Sequence, residues 1–380
     1  MRLSKRTGLT AAAIALGAAG ISAASFSTAV GSPAATSDST SPASTETAPN
    51  SADADLAASP DAQPLDETVT LRVGYIPALS QAPVFLADGL GLYAEENLTI
   101  EFQPVTAISD ALQMLAQGDL DVYTGSPSAP MFNQVASGLD VRMISSIGSI
   151  ATPDGFEAAS GVFVRQELLD SGEVSSAADL AGRRIASVGP VGTATSFIIY
   201  RVLATGGLDL DDVELVTLGF PEAMTGLQTG GVDAAFLVAP FSAQVVDDGI
   251  ASPIVDSKTA YGDVVTSGQI IGPSLLENRP AAIAFLRANM RAAQRLQGDY
   301  RTDDEVVAEL ADFMGTEEDL VRNGPIYYFD PTLEPQIPSV LEMQDLFLGI
   351  PDILGYTEPL TVDQLFDMEI WELAVATVDG

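Results

Sequence analysis

The sequence predicts an α/β fold of two similar lobes with a cleft between them, and three features predict it. One short phrase occurs twice, as Leu115-Ala-Gln-Gly118-Asp-Leu-Asp121 and as Leu227-Gln-Thr-Gly230-Gly-Val-Asp233. Each copy follows an amphipathic run and leads into an apolar stretch, which reads as a helix stopped by a left-handed glycine, a turn and a buried strand. Upstream of each copy lies a similar strand, loop and glycine-ended helix, Leu71 to Gly89 in one case and Ile185 to Gly207 in the other. Strand and helix patterns also alternate from Val69 to Val246, which argues for sheets with helices on both faces.

Val69 to Tyr75 alternates as a strand, and Ala82-Pro83 opens a helix to Asp88 with proline where a first turn tolerates it. Leu98 to Phe102 reads as a strand, Ser109 to Gln117 as a helix, and Asp121 to Thr124 as a strand ending in Gly125-Ser126-Pro127-Ser128. A helix through Ala136 and a strand from Val141 to Ile147 follow. The second unit repeats the plan. Its strands are Arg184 to Val188, Val213 to Leu218 and the run to Val238, and its helices are Ala194 to Leu203, Glu222 to Thr229 and Phe241 to Val246. Beyond Gly272 the pattern turns helical. A long amphipathic segment opens at Asn278-Arg279-Pro280, with Ile283, Leu286, Met290, Ala293 and Leu296 on its apolar side. Arg287, Arg291 and Arg295 line another side, and in so acidic a chain they are expected to pair with its own carboxylates; docking a partner is the alternative. Thr316 to Asp319 and Thr361 to Gln364 read as capping boxes. Residues 323–338, with four prolines and Tyr327-Tyr328, read as an irregular connection.

At the start of the chain, Arg2, Lys5 and Arg6 precede an apolar run from Leu9 to Ala24, with small residues at Ser22-Ala23-Ala24 and Ser27-Thr28-Ala29. That is the pattern of a signal peptide over residues 1–24, too short and alanine-rich for a membrane span. Residues 25–67 are Ser, Thr, Ala, Pro, Asp and Glu with almost nothing to bury, and predict a disordered acidic linker. The expected mature protein is exported, secreted or periplasmic. No cysteine exists to carry a lipid anchor, and none is needed to staple a chain of this length.

The chain carries 16 basic and 52 acidic side chains, 3 and 7 of them before residue 68, so 13 stand against 45 in the remainder, a formal charge of −32. Such a surface disfavours nucleic acid and anionic membranes. Lys5 and Lys258 are the only lysines. Acidic, lysine-poor surfaces suit high salt, which screens self-repulsion; an ordinary acidic secreted protein from an arginine-preferring genome fits equally. With no histidine and no cysteine, triads using either residue, cysteine nucleophiles and histidine-containing metal sites are excluded. No cofactor and no metal are expected. Asp121 and Asp233 suit closing a turn better than acid–base work.

In open α/β sheets, ligands bind beyond the carboxyl ends of the strands. The loops there are Pro77 to Gln81, Gly125 to Ser128, Gly189 to Ser196, Phe220 to Glu222, and Ala239-Pro240-Phe241. Gly125-Ser126 and Gly192-Thr193-Ala194-Thr195-Ser196 stand just ahead of helices, where free N–H groups and hydroxyls can hold an anion or a polar oxygen. Thr193 and Ser126 also fit as plain N-caps, while Gly189 and Gly192 add close backbone approach.

These residues carry a resemblance. Leu71-Arg-Val-Gly-Tyr75, Ala82-Pro83, Gly91-Leu-Tyr93 and Leu115-x-x-Gly118-x-x-Asp121 resemble the opening of the nitrate/sulfonate/taurine group of ABC-transporter substrate-binding proteins, which includes NMT1/THI5-like pyrimidine-precursor binders. Ala178-Asp-Leu-Ala-Gly182, Gly206-Gly-Leu208 and Leu227-x-x-Gly230-x-Val-Asp-Ala-Ala235 resemble its second lobe. The likeness covers about residues 69 to 300. It implies a two-lobed type II periplasmic-binding fold hinged around a central ligand cleft. Lobe 1 would span 68–164 plus 266–380 and lobe 2 would span 165–265. Ser80, Gln81, Gly125, Ser126, Gly192, Thr193, Thr195, Phe220 and Phe241 are then the candidate ligand-binding residues.

The implied function is capture of a small organic molecule, of sulfonate, pyrimidine-like or aromatic-acid class, by a monomer that delivers it to an ABC permease. Where the family often has an acidic residue before proline, this chain has Ala239-Pro240, and no arginine falls in the cleft loops. An uncharged or weakly anionic ligand fits better than nitrate. The alternatives are an enzyme on the same fold, acting on a small carboxylate, and a ligand-sensing partner of a membrane receptor. The superfamily's yeast-type pyrimidine synthases consume a protein histidine, which this chain lacks.

Overall fold

Two five-stranded sheets with the same strand plan make up the molecule, in a computed structural model that describes residues 56, 58–76, 78–105, 107–150, 159–262, 264 and 267–378. The first sheet takes β1 (Val69–Tyr75), β2 (Leu98–Pro104), β3 (Val122–Gly125), β4 (Arg142–Ser146) and β11 (Gly268–Ile271) in the order β2-β1-β3-β11-β4. The second takes β6 (Ser160–Arg165), β7 (Arg184–Ser187), β8 (Glu214–Thr217), β9 (Ala234–Val238) and β10 (Ala251–Pro253) in the order β10-β6-β9-β7-β8. In each sheet three neighbouring strands pair in parallel, β2-β1-β3 and β9-β7-β8, and one strand, β11 in the first and β6 in the second, pairs antiparallel with both its neighbours. A two-stranded ribbon of β5 (Gly148–Ser149) and β12 (Tyr328–Phe329) completes the strands named here.

The chain crosses between sheets twice, and each antiparallel strand is the first of a return. The sequence placed residues up to 164 in the first lobe. Strand β6 instead pairs with β9 from Ser160↔Val238 to Val164↔Ala234, so the first crossing falls before Ser160. Its burial explains the misreading: Ser160 to Val164 are all buried, and a run without alternation gives no sign of which sheet receives it. The second crossing lies between Pro253 and Gly268.

Helices end where the repeat says they should. Ile108–Gln117 stops at Gly118 with φ 72°, and Phe220–Thr229 stops at Gly230 with φ 74°. The long helix Arg279–Arg295 buries Ile283, Leu286, Met290 and Ala293 against the first sheet's core. Its arginines pair with the protein's own carboxylates: Arg287 with buried Glu96, and, at the surface, Arg291 with Glu95 and Arg295 with Asp303 and Glu305. The Thr361 capping box forms. The one expected at Thr316 does not, because the helix Glu318–Arg322 starts one residue later with Glu317 in the cap position.

The expected signal peptide lies outside the described residues. The last residues of the expected linker, 25–67, pack on the fold. Ala62 is buried and its carbonyl accepts from Arg287 Nη1 at 2.9 Å, while the Leu65 carbonyl accepts from Asn97 Nδ2 at 2.6 Å. Small, polar composition hid that docking, because the partners lie far along the chain. No described helix is long and apolar enough to cross a membrane.

Candidate functional site

The expected loops follow the carboxyl ends of β1, β3, β7, β8 and β9, and each is braced differently. After β1, a short 3-10 turn carries half-buried Ser80 and buried Gln81. Both ends of the Gln81 amide are engaged: Nε2 donates to the Thr124 carbonyl at 3.0 Å, and Oε1 accepts from Thr124 Oγ1 at 2.6 Å. Gln81 therefore braces the β1 and β3 loops against each other. After β3, Gly125 is buried where an added Cβ would meet the Tyr123 ring at 2.2 Å. Ser128, rather than Ser126, takes the N-cap position of the helix Ala129–Ala136.

The β7 loop is folded on itself. Ser187 Oγ donates to the Gly189 carbonyl, Thr193 Oγ1 to that of Pro190, and Ser196 Oγ takes the Gly192 N–H. Thr193 holds the cap position of the helix Ala194–Thr205 but makes no side-chain cap bond, and Thr195 is half-buried beside it. Gly192, at φ 96°, has a role the sequence did not suggest. Its carbonyl accepts the Ala129 N–H at 2.8 Å, so the two lobes touch through backbone at this point. A Cβ there would come within 3.1 Å of both Ala129 Cβ and Ile353 Cγ2. The first donor of the Ala129 helix is thus spent on the other lobe. Close by, apolar packing is continuous from Tyr123 and Phe132 to Val162 and Phe197, and Arg201 of one lobe pairs with Glu342 of the other.

The second lobe contributes an aromatic pair. Phe220 and Phe241, from the β8 and β9 ends, stack with centroids 5.4 Å apart at 23°, both half-buried. Two exposed aliphatic side chains stand at matching positions one residue beyond β1 and β7: Ile76 at 41% and Val188 at 39% exposure. Every arginine among the described residues lies within ion-pair distance of a carboxylate. Among the described residues no group of three or more acidic side chains is placed to hold a metal ion.

One set of polar groups escaped sequence reasoning. Gln269 is fully buried in β11, in register with Thr124 on one side and Ser145 on the other, and neither its Nε2 nor its Oε1 has a partner. The hydroxyls of Ser145, Ser267 and Ser128 are buried and unpartnered as well. An unsatisfied buried polar group costs about 1–3 kcal/mol, so a cluster of them calls for a physical reason. The one sequence signal was an amide set among glycine and isoleucines, Gly268-Gln269-Ile270-Ile271, inside a strand that is central to its sheet.

The paired sheets, the two crossings and the loops converging from both lobes define a bilobal, type II periplasmic-binding fold. The same architecture is found in the alkanesulfonate-binding protein SsuA of Xanthomonas axonopodis pv. citri bound to MOPS, at 20% identity and a TM-score of 0.58 over 80% of this chain and 99% of that one. The chain belongs to the NMT1-like family, whose model matches residues 65–312. It is similar to the riboflavin-binding protein RibY of Chloroflexus aurantiacus, 25% identical over 252 residues that cover 65% of this chain and 67% of the relative. It is also similar to the nitrate/nitrite binding protein NrtA of Nostoc sp. (strain PCC 7120), 24% identical over 260 residues, 66% of this chain and 58% of that relative.

Proposed function

We propose that this protein is the extracytoplasmic solute-binding component of an ABC import system, and that it holds a small planar organic molecule between its lobes. The relatives are named as binding proteins, and a chain without histidine or cysteine offers little for catalysis. The observation that carries the ligand class is the Phe220–Phe241 stack, set among loops in which no arginine is free to meet an anion. Stacking on aromatic rings supplies affinity for a flat π-system, and exposed Ile76 and Val188 extend the apolar surface. Ser80, Ser126, Thr193 and Thr195 remain the hydroxyls of the cleft loops, and closure at Gly192 would desolvate the guest and present the closed form to a permease.

In this reading lobe 1 runs from about residue 68 to the first crossing and resumes before β11, lobe 2 fills the interval, and the protein acts as a monomer. Native mass spectrometry of the purified protein tests it: a single co-purifying organic molecule per chain is expected. A thermal-shift panel of flavin, pyrimidines, aromatic acids, sulfonates and nitrate ranks the classes. Release of a chemically altered product from any bound compound would overturn the reading.

A further inference from the structure

We propose that Gln269, with Ser145 and Ser267, is the hydrogen-bonding floor of that site and selects a planar heterocycle whose ring carries an N–H donor beside an acceptor. The inference rests on the solute-binding reading and names its ligand chemistry. β11 runs antiparallel to β3, so its first residues lie at the carboxyl edge of β1 and β3, the edge where ligands of open α/β sheets bind. Gln269 sits one residue into that edge, opposite Thr124.

Its bonded neighbours are already spent on each other. The Thr124 hydroxyl lies against the Gly74 carbonyl and Gln81 Oε1, and the Gln81 amide is occupied by Thr124 in return. The polar row is closed as far as Thr124 and open from Gln269 onward, where the amide and the Ser145 and Ser267 hydroxyls have no partner. A planar amide offers N–H donors and a carbonyl acceptor side by side, the pattern by which glutamine reads a base edge in two parallel hydrogen bonds. Its unpaired Oε1 requires a donor from the guest. Nitrate, sulfonate and carboxylate bring acceptors only and would leave that oxygen unpaired; a lactam, an imide or an amino-substituted ring satisfies both atoms. Discrimination by buried hydrogen-bonding groups is stronger than discrimination by apolar fit.

The experiment is isothermal titration of the full mature chain with riboflavin, thymine and cytosine, each beside a counterpart methylated on the ring or exocyclic nitrogen, and with MOPS and nitrate. At least one parent ring is expected to bind roughly tenfold or more tightly than its methylated form, the penalty of one blocked buried hydrogen bond. Gln269→Met is expected to erase that difference while holding or raising the melting temperature of the ligand-free protein, since it removes two orphaned polar atoms at near-constant volume. Gln269→Glu, which turns the donor into an acceptor, separates the polar role from mere filling of space and is expected to lose binding too. Equal affinity for parent and methylated rings, or a Gln269→Met protein that keeps the preference, overturns the proposal and leaves solute binding intact. Binding of MOPS or nitrate with none of the rings overturns it as well. Failure of any small molecule to co-purify or bind overturns the solute-binding reading itself.

Discussion

Asp121 and Arg72 are joined through both backbone and side chain. Asp121 Oδ2 accepts the Arg72 N–H at 2.9 Å, the Asp121 N–H returns to the Arg72 carbonyl at 2.9 Å, and the guanidinium closes on the carboxylate from Nε and Nη2. The second lobe repeats the arrangement. Asp233 Oδ2 accepts the Arg184 N–H at 3.0 Å, the Asp233 N–H returns to the Arg184 carbonyl at 2.8 Å, and both pairs are 49 residues apart. The repeated aspartate is therefore a clamp that fixes the start of β3 on β1 and of β9 on β7.

Removing that clamp is expected to weaken the fold in a pH-dependent way. Burial pushes the Asp121 carboxyl up, but hydrogen bonds from the Arg72 side chain and N–H and from the Ser274 hydroxyl outweigh it, and the net shift is below the ordinary 3.8. A group depressed in the folded state lends stability above the ordinary carboxylate range, and that stability is lost as pH falls through the folded value. Asp121→Asn is expected to cost about 2 kcal/mol at neutral pH, with a flatter fall in stability below about pH 4 than the parent. Urea titrations at several pH values decide it; parallel curves would exclude this role.

Glu96 and Arg287 are both nearly inaccessible, and Arg287 also holds the Ala62 carbonyl and Thr377 Oγ1. Glu96→Gln leaves a buried cation short of its counter-charge, at an expected cost of about 3–5 kcal/mol. Arg291→Ala, which loses a half-exposed pair with Glu95, is expected to cost less than about 1 kcal/mol. Similar denaturation midpoints for the two variants would refute the contrast.

Gly192→Ala places a methyl group where φ is positive and where Ala129 and Ile353 already stand 3.1 Å away. The lobes cannot then approach as closely. A larger radius of gyration by small-angle scattering and at least about tenfold weaker binding of the co-purified ligand are expected, equivalent to roughly 1.4 kcal/mol or more. An unchanged scattering curve would show that the contact is dispensable.

Phe220→Ala and Phe241→Ala each remove one ring of the stack. Loss of aromatic stacking by alanine substitution is worth about 1–3 kcal/mol for a flat base, so each variant is expected to bind roughly 5- to 150-fold more weakly. Because the rings touch, the double variant is expected to lose less than the sum of the two. Titration calorimetry with the co-purified ligand measures both effects.

A formal charge of −32 over residues 68–380 predicts self-repulsion that salt relieves. The melting temperature is expected to rise between about 0.1 and 1 M NaCl, over which the Debye length shrinks from about 10 to 3 Å. A falling melting temperature would mean that the surface ion pairs matter more than the net charge.

Much of this architecture is written in local pattern. Gly118 and Gly230 stop their helices because only glycine enters the left-handed region without strain, and the apolar stripe of Arg279–Arg295 follows from helical period alone. Loops such as Gly189 to Ser196 were legible for the same reason, since glycine and hydroxyl residues between a strand and a helix have few other uses. The arginine stripe could be matched to carboxylates by charge balance, though not to Glu96, Glu95, Asp303 and Glu305 in particular.

What only the tertiary structure decided were relations between distant segments. The sheet that receives Ser160 to Val164 is fixed by pairing with Ala234 to Val238, far along the chain, and a fully buried run carries no alternation to announce it. Gly192 meets Ala129 only once two lobes have closed, and Gln81 is spent on Thr124 only because β1 lies beside β3. Gln269 is the sharpest case. Its residue type was visible from the start, but an amide has no meaning as a site until folding takes away water and supplies nothing in return.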